Sequence, residues 1–176
     1  MIMRPGQQLL LPANPVFIWF SLICALALNM LLNMGLFGRA AWVPDLLALS
    51  LVFWCVHQPL RIGVGTAFFF GLVMDVHQGA LLGQHALSYT VMAFGAVAMH
   101  RRLLWFPVPA QSLQVLPLFV AAHLIGMVVR LLAGGSFPGW PYFLSPLFEA
   151  MLWPVVTVML LAPQRRAPDP DDNRPI

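Results

Sequence analysis

Long apolar blocks, separated by short breaks of polar residues, glycine and proline, fill this chain from Pro15 to Ala162. A helix needs about 20 residues to cross the hydrocarbon core of a bilayer. The breaks divide the region into six segments, so the pattern predicts six membrane-spanning helices. Their approximate bounds are 15–37, 44–58, 62–79, 83–100, 112–132 and 145–162.

The break from His57 to Arg61 decides whether the number of spans is even or odd. A continuous helix from 44 to 79 would be about 54 Å long, far more than the bilayer thickness. Pro59 and Arg61 together are typical of a turn at a membrane interface. We therefore expect two helices here.

Composition excludes a soluble domain, because 60% of the 176 residues are hydrophobic, only 9% are charged, and the mean hydropathy is +0.83. The predicted fold is all-α: a polytopic six-helix bundle forming one transmembrane domain over residues 15–162. A short cytoplasmic N-terminus, 1–14, precedes it. The proline-rich, charged tail, 163–176, is expected to be disordered in the cytoplasm.

The basic residues are nine arginines and no lysine, and they predict the orientation. With both termini in the cytoplasm, seven arginines lie on the inner side, whereas Arg39 and Arg130 lie on the outer side. Cytoplasmic loops carry an excess of basic residues, so the N-in/C-in arrangement is favoured. The inner set is Arg4, Arg61, Arg101, Arg102, Arg165, Arg166 and Arg174.

Three acids then fall in the outer half of the apolar region. Asp45 follows Pro44, an ordinary way to begin a helix. Glu149 lies one place past the capping-box position, so a partner arginine or a polar cavity explains it better. Asp75 lies near a helix C-terminus, where the macrodipole disfavours an anion, so a pairing or binding role is favoured.

Other polar residues share this side. Arg39 and Arg130 are predicted to compensate the three carboxylates as one group. His85 flanks the same rim, and His123 shares a helix face with Arg130, where we interpret it as a hydrogen-bonded packing residue.

Small residues recur along the third segment, at Gly63, Ala67, Gly71 and Gly79. Such a strip lets another helix approach closely, so it predicts helix packing without identifying the partner helix. Gly79 and Gly83 also have GxxxG spacing, although at a helix end two glycines more often form a turn.

No motif for nucleotide, metal or nucleophile chemistry is present, and neither a cofactor, a metal nor nucleic acid is expected to bind. Cys24 and Cys55 lie within apolar blocks and are interpreted as small hydrophobic residues. The chain is therefore not expected to be an enzyme. The enzyme alternative, with Asp75 and Glu149 as an acid/base pair, requires both carboxyls to reach one cavity.

Four motifs stand between Pro44 and Leu87: the Pro-Asp helix start at 44–45, P-x-R-I-G-x-G at 59–65, G-L-x-x-D-V-x-x-G at 71–79 and L-G-Q-H-A-L at 82–87. On these motifs, the stretch from Pro44 to Leu118 resembles the MreD family of rod shape-determining proteins. It implies a non-catalytic, multi-pass subunit of the bacterial inner membrane. Its implied partners are MreC directly and, within the complex that builds the lateral cell wall, MreB, RodA and the class B penicillin-binding transpeptidase. The implied fold is similar to the S components of energy-coupling-factor transporters.

Two hypotheses for the polar residues follow. In the first, Asp75 and the strip of the third helix receive the membrane helix of MreC or another partner. In the alternative, the outer carboxylates and histidines line a pocket for a small, vitamin-like molecule, as in an S component. A homodimer is also left open.

Overall fold

The computed structural model describes residues 13–36 and 42–164, and this part of the chain contains six α-helices. A π-helix, Leu32–Leu36, extends the first helix, and 3-10 turns at Trp140–Leu144 and Ala162–Gln164 flank the last one. The prediction of an all-helical chain with six helices is confirmed. Arg39, most of the N-terminal segment and the tail from 165 lie outside the described residues. The helices are α1 (Pro15–Leu31), α2 (Leu46–His57), α3 (Val64–Gln78), α4 (Gln84–Leu103), α5 (Val108–Leu132) and α6 (Ser145–Leu161).

Helix α2 forms the core of the bundle. Every residue from Leu47 to Val56 is buried. A helix that is apolar all round is surrounded either by protein or by lipid. Here it is surrounded by protein, since α1, α4 and α6 pack against α2. Helix α3 packs on α4, and α5 packs against both α4 and α6. With 12 residues, α2 is about 18 Å long, which is shorter than the hydrocarbon core of a bilayer.

Three helical stretches are long and apolar enough to cross a membrane: Pro15–Met34, Val108–Leu132 and Trp140–Gln164. They leave large apolar side chains uncovered, as at Phe20, Leu113 and Met159. Such faces are costly in water and favourable in lipid. These stretches give the chain the character of a membrane protein.

Helix α5 begins at Val108, four residues before the predicted segment. Pro107 is its N-cap and Pro109 lies in its first turn. Proline is accommodated there because the first N–H groups of a helix have no partner within that helix. The break that follows Arg101 and Arg102 is therefore shorter than the sequence indicated.

The chain turns between α2 and α3, where Gln58 O accepts hydrogen bonds from the backbone N–H groups of Arg61 and Ile62. The Arg61 guanidinium also donates to Ala13 O at 3.1 Å, which ties this turn to the start of α1. Arg61 thus lies at one end of the bundle. The three acids lie toward the other end, around the connections that lead into α2, α4 and α6.

Candidate functional site

Asp75 caps the N-terminus of the helix that follows its own. Its carboxylate accepts hydrogen bonds from the backbone N–H groups of Gly83, His85 and Ala86 at 2.7, 2.7 and 3.3 Å, and His85 Nδ1 lies 2.8 Å from Oδ1. The first N–H groups of a helix have no acceptor within it, and the dipole there favours an anion. The position of Asp75 is unfavourable for α3 and favourable for α4.

Two glycines make this arrangement sterically accessible. Gly79 ends α3 with φ +61° and Gly83 precedes α4 with φ +105°, a region that residues with a Cβ rarely adopt. The turn folds the start of α4 back over Asp75. In the structure both glycines lie in this turn, while Gly63 precedes α3.

The other two members of the predicted strip, Ala67 and Gly71, are buried on α3. A Cβ added to Gly71 would lie 2.6 Å from Ala86 N, and Ala67 is fully buried. Gly71 therefore packs against α4 of the same chain, a partner helix that the sequence pattern left unidentified.

The N-terminus of α2 is capped by two acids. Asp45 Oδ1 accepts from the N–H groups of Leu47 and Ala48 at 3.1 and 3.0 Å. Glu149 Oε1 accepts from the Asp45 N–H at 3.0 Å and from the Ser145 hydroxyl at 3.0 Å. This is the bonding of a capping box, with the glutamate supplied by a distant helix.

Two polar residues that sequence reasoning missed complete the surroundings of Asp45. Asn29 Nδ2 donates to Asp45 Oδ1 at 3.0 Å, and the Tyr89 hydroxyl donates to Oδ2. Both are buried. A polar side chain inside an apolar helix is costly unless it is hydrogen-bonded. That cost is the sequence signal by which these two residues could have been found.

In the described part of the chain, the carboxylates are held by backbone and side-chain hydrogen-bond donors and by histidines. His123 Nε2 lies 3.6 Å from Glu149 Oε1, and its Nδ1 lies 3.0 Å from Phe119 O. Within residues 13–36 and 42–164, Arg130 is not within 4.0 Å of any carboxylate oxygen. Arg39, the other expected partner, lies outside this part of the chain.

A polar cavity of about 1200 Å³ opens beside these groups, and all six helices contribute to its wall. Among the described residues, the acidic, arginine and histidine side chains that line it are Asp45, Glu149, Arg130, His77, His85 and His123. Asp75 is not among the lining residues, so the two carboxyls of the enzyme alternative do not share this cavity. The described residues include no group of three His, Cys, Asp or Glu side chains arranged to hold a metal ion.

Comparison with known proteins identifies the family of the chain. Residues 13–162 match the family described as rod shape-determining protein MreD. The chain belongs to the MreD family. A relative, the rod shape-determining protein MreD of Haemophilus influenzae, is 26% identical over 154 residues, which cover 84% of this chain and 93% of that protein. No solved structure matches the chain. MreD membership, with three candidate spans, makes this a rod shape-determining membrane protein.

Proposed function

We propose that the chain is a non-catalytic, multi-pass subunit of the bacterial inner membrane that binds MreC. Through MreC it helps couple MreB to lateral peptidoglycan synthesis by RodA and its class B transpeptidase. The observation that carries the proposal is the MreD match over residues 13–162. The N-in/C-in arrangement of six spans is part of it, supported by the arginine distribution. Similarity to S components and a homodimer stay predictions.

Contacts within the chain already occupy Asp75, so we propose that MreC binds elsewhere. Asp75 is 1% exposed and its carboxylate is bonded within the chain. Gly71 faces α4. Neither residue is free to receive a partner helix, so we propose that the docking surface lies on another face of α3.

We place the membrane helix of MreC in the groove between α1 and α3. The groove encloses about 370 Å³ and has an almost wholly apolar wall, as a helix in lipid would require. Phe69 and Val76 stand out from α3 with 60% and 74% of their surface exposed. The groove is lined by Met30, Phe69, Leu72, Val73, Val76 and His77.

A pair of tryptophan variants tests the groove. Val76→Trp fills it with a larger apolar side chain and is expected to lower co-purification of MreC with the tagged chain at least fivefold. Met159→Trp is the matched control, because Met159 is 68% exposed on α6 and lies outside the groove. Both variants stay compatible with lipid, so membrane insertion is preserved.

The same variants are scored for rod shape in a strain that lacks its own MreD. Val76→Trp should leave cells rounded, and Met159→Trp should restore rods. Equal capture of MreC by both variants would reject the groove. Failure of the unaltered chain to capture MreC or restore shape would reject the proposed function itself.

A further inference from the structure

The connection between α5 and α6 is apolar for a loop. Residues 131–148 include no charged side chain and no histidine, and aromatic residues stand at 137, 140, 142, 143 and 148. A surface in contact with water rarely exposes a continuous apolar patch unless that patch binds something. The composition of this loop therefore indicates a surface that is covered in the membrane.

Two aromatic side chains of the loop are exposed side by side. Trp140 is 80% exposed, and Phe137 is also exposed, with its ring centroid 5.9 Å from that of Trp140. In sequence they stand between Leu132, which ends α5, and Leu147 on α6, and both of these leucines are exposed as well. Exposed apolar faces on candidate membrane spans are favourable in lipid, so the rings continue a surface that faces lipid.

The loop folds back along α5. The Tyr142 hydroxyl donates a hydrogen bond to His123 O at 3.0 Å. His123 lies nine residues before Leu132, which corresponds to about 14 Å along the helix axis. A tyrosine side chain and one hydrogen bond together span less than this distance. The backbone at Tyr142 therefore lies beside the last turns of α5 rather than beyond them.

Two glycines reverse the chain at the end of α5. Gly134 has a φ of +79°, in the left-handed region that favours glycine. The N–H groups of Gly134 and Gly135 donate to Leu131 O and Arg130 O at 3.0 and 2.9 Å, which satisfies carbonyl groups at the helix end. A Cβ added to Gly135 would lie 2.8 Å from Arg130 Cγ. The chain thus turns back closely over the last turn of α5.

We propose that the loop formed by residues 133–144 is a membrane anchor, with Phe137 and Trp140 inserted at the boundary between lipid headgroups and acyl chains. Tryptophan is favoured at this boundary because its ring is apolar and its indole N–H can donate to a headgroup. Tyr142 occupies the opposite side of the loop, where it lines the polar cavity.

The anchor is separate from the MreC groove, and none of its residues lines that groove. It requires only that α5 and α6 cross the bilayer. Its failure would leave the proposal for MreC untouched.

Fluorine NMR of the full chain, labelled with 5-fluorotryptophan and held as a single copy in a lipid nanodisc, reports the surroundings of Trp140. Trp140→Phe removes one signal and so assigns it. Two paramagnetic probes are compared: a phospholipid with a nitroxide near the top of its acyl chain, and a water-soluble gadolinium chelate. The lipid probe is expected to relax Trp140 at least threefold faster than the chelate does. Trp54 and Trp153, which are fully buried, should respond much less to either probe.

A pair of variants tests how the loop is held at this depth. Tyr142→Phe removes only the hydroxyl that bonds His123 O, so the chelate should relax Trp140 at least twofold faster than in the unaltered chain. Ser136→Ala is the matched control, because Ser136 is exposed in the same loop and takes no part in that bond. It should change nothing.

The proposal fails if the chelate relaxes Trp140 as fast as the lipid probe does, which would place the loop in water and leave its aromatic side for a protein partner. It also fails if neither probe relaxes Trp140 more than the buried Trp54, which would show that the ring is covered by the chain itself. Equal responses of Tyr142→Phe and Ser136→Ala would refute the role of Tyr142 in holding the loop.

Discussion

Replacement of Asp75 is expected to destabilise the bundle through the start of α4. Asp75→Ala removes the acceptor of three backbone N–H groups and of the His85 ring. Loss of an N-cap alone costs about 1 kcal/mol, and each buried donor left without an acceptor costs about 1–3 kcal/mol. Because these costs overlap, we expect the free energy of unfolding to fall by about 3–5 kcal/mol in total.

The assay is reversible unfolding of the purified chain in mixed micelles. Gln78→Ala, three residues further along α3, is the control and should change stability by less than about 0.5 kcal/mol. A double-mutant cycle with His85→Ala should give a coupling above about 1 kcal/mol, because the two side chains bond directly. The capping argument is refuted if Asp75→Ala is as stable as the Gln78→Ala control.

Two further predictions concern packing and orientation. Gly71→Ala should cost about 1–3 kcal/mol of unfolding free energy in the same assay, since the added Cβ overlaps the α4 backbone. Gly65→Ala, which meets nothing within 4 Å, should not destabilise, and equal losses would contradict close approach at Gly71. For N-in/C-in, alkaline phosphatase fused after Ile176 should be inactive, whereas fusion after Gly135, between α5 and α6, should be active. The reverse pattern would overturn the orientation.

The six helices were predictable because hydrophobic length and breakers are local properties of the chain. The family resemblance was likewise readable, since the motifs from Pro44 to Leu87 are contiguous in sequence. The Asp45 cap could also be predicted locally, because its carboxylate accepts hydrogen bonds from the N–H groups two and three residues further along the chain.

The hydrogen-bond partners of Asp75 and Glu149 could not be predicted from the neighbouring sequence. Asp75 accepts hydrogen bonds from N–H groups that lie 8 to 11 residues further along the chain. The turn between them takes its direction from two positive φ angles. Glu149 bonds a backbone group 104 residues away. Arginine compensation was expected because arginine is the usual partner of a membrane carboxylate. In the described residues the donors are backbone N–H groups at helix N-termini together with polar side chains, and Arg39 lies outside that part of the chain.

The sequence by itself determined a membrane-embedded helical chain, its family and the presence of three acids that require partners. Only the tertiary structure decided which groups became those partners. Hydropathy depends on each segment alone, whereas a hydrogen bond depends on where two segments meet. Where α3 and α4 meet, both carboxylate oxygens of Asp75 accept hydrogen bonds. Glu149 lies beside the polar cavity, and one of its carboxylate oxygens has no hydrogen-bond partner among the described residues.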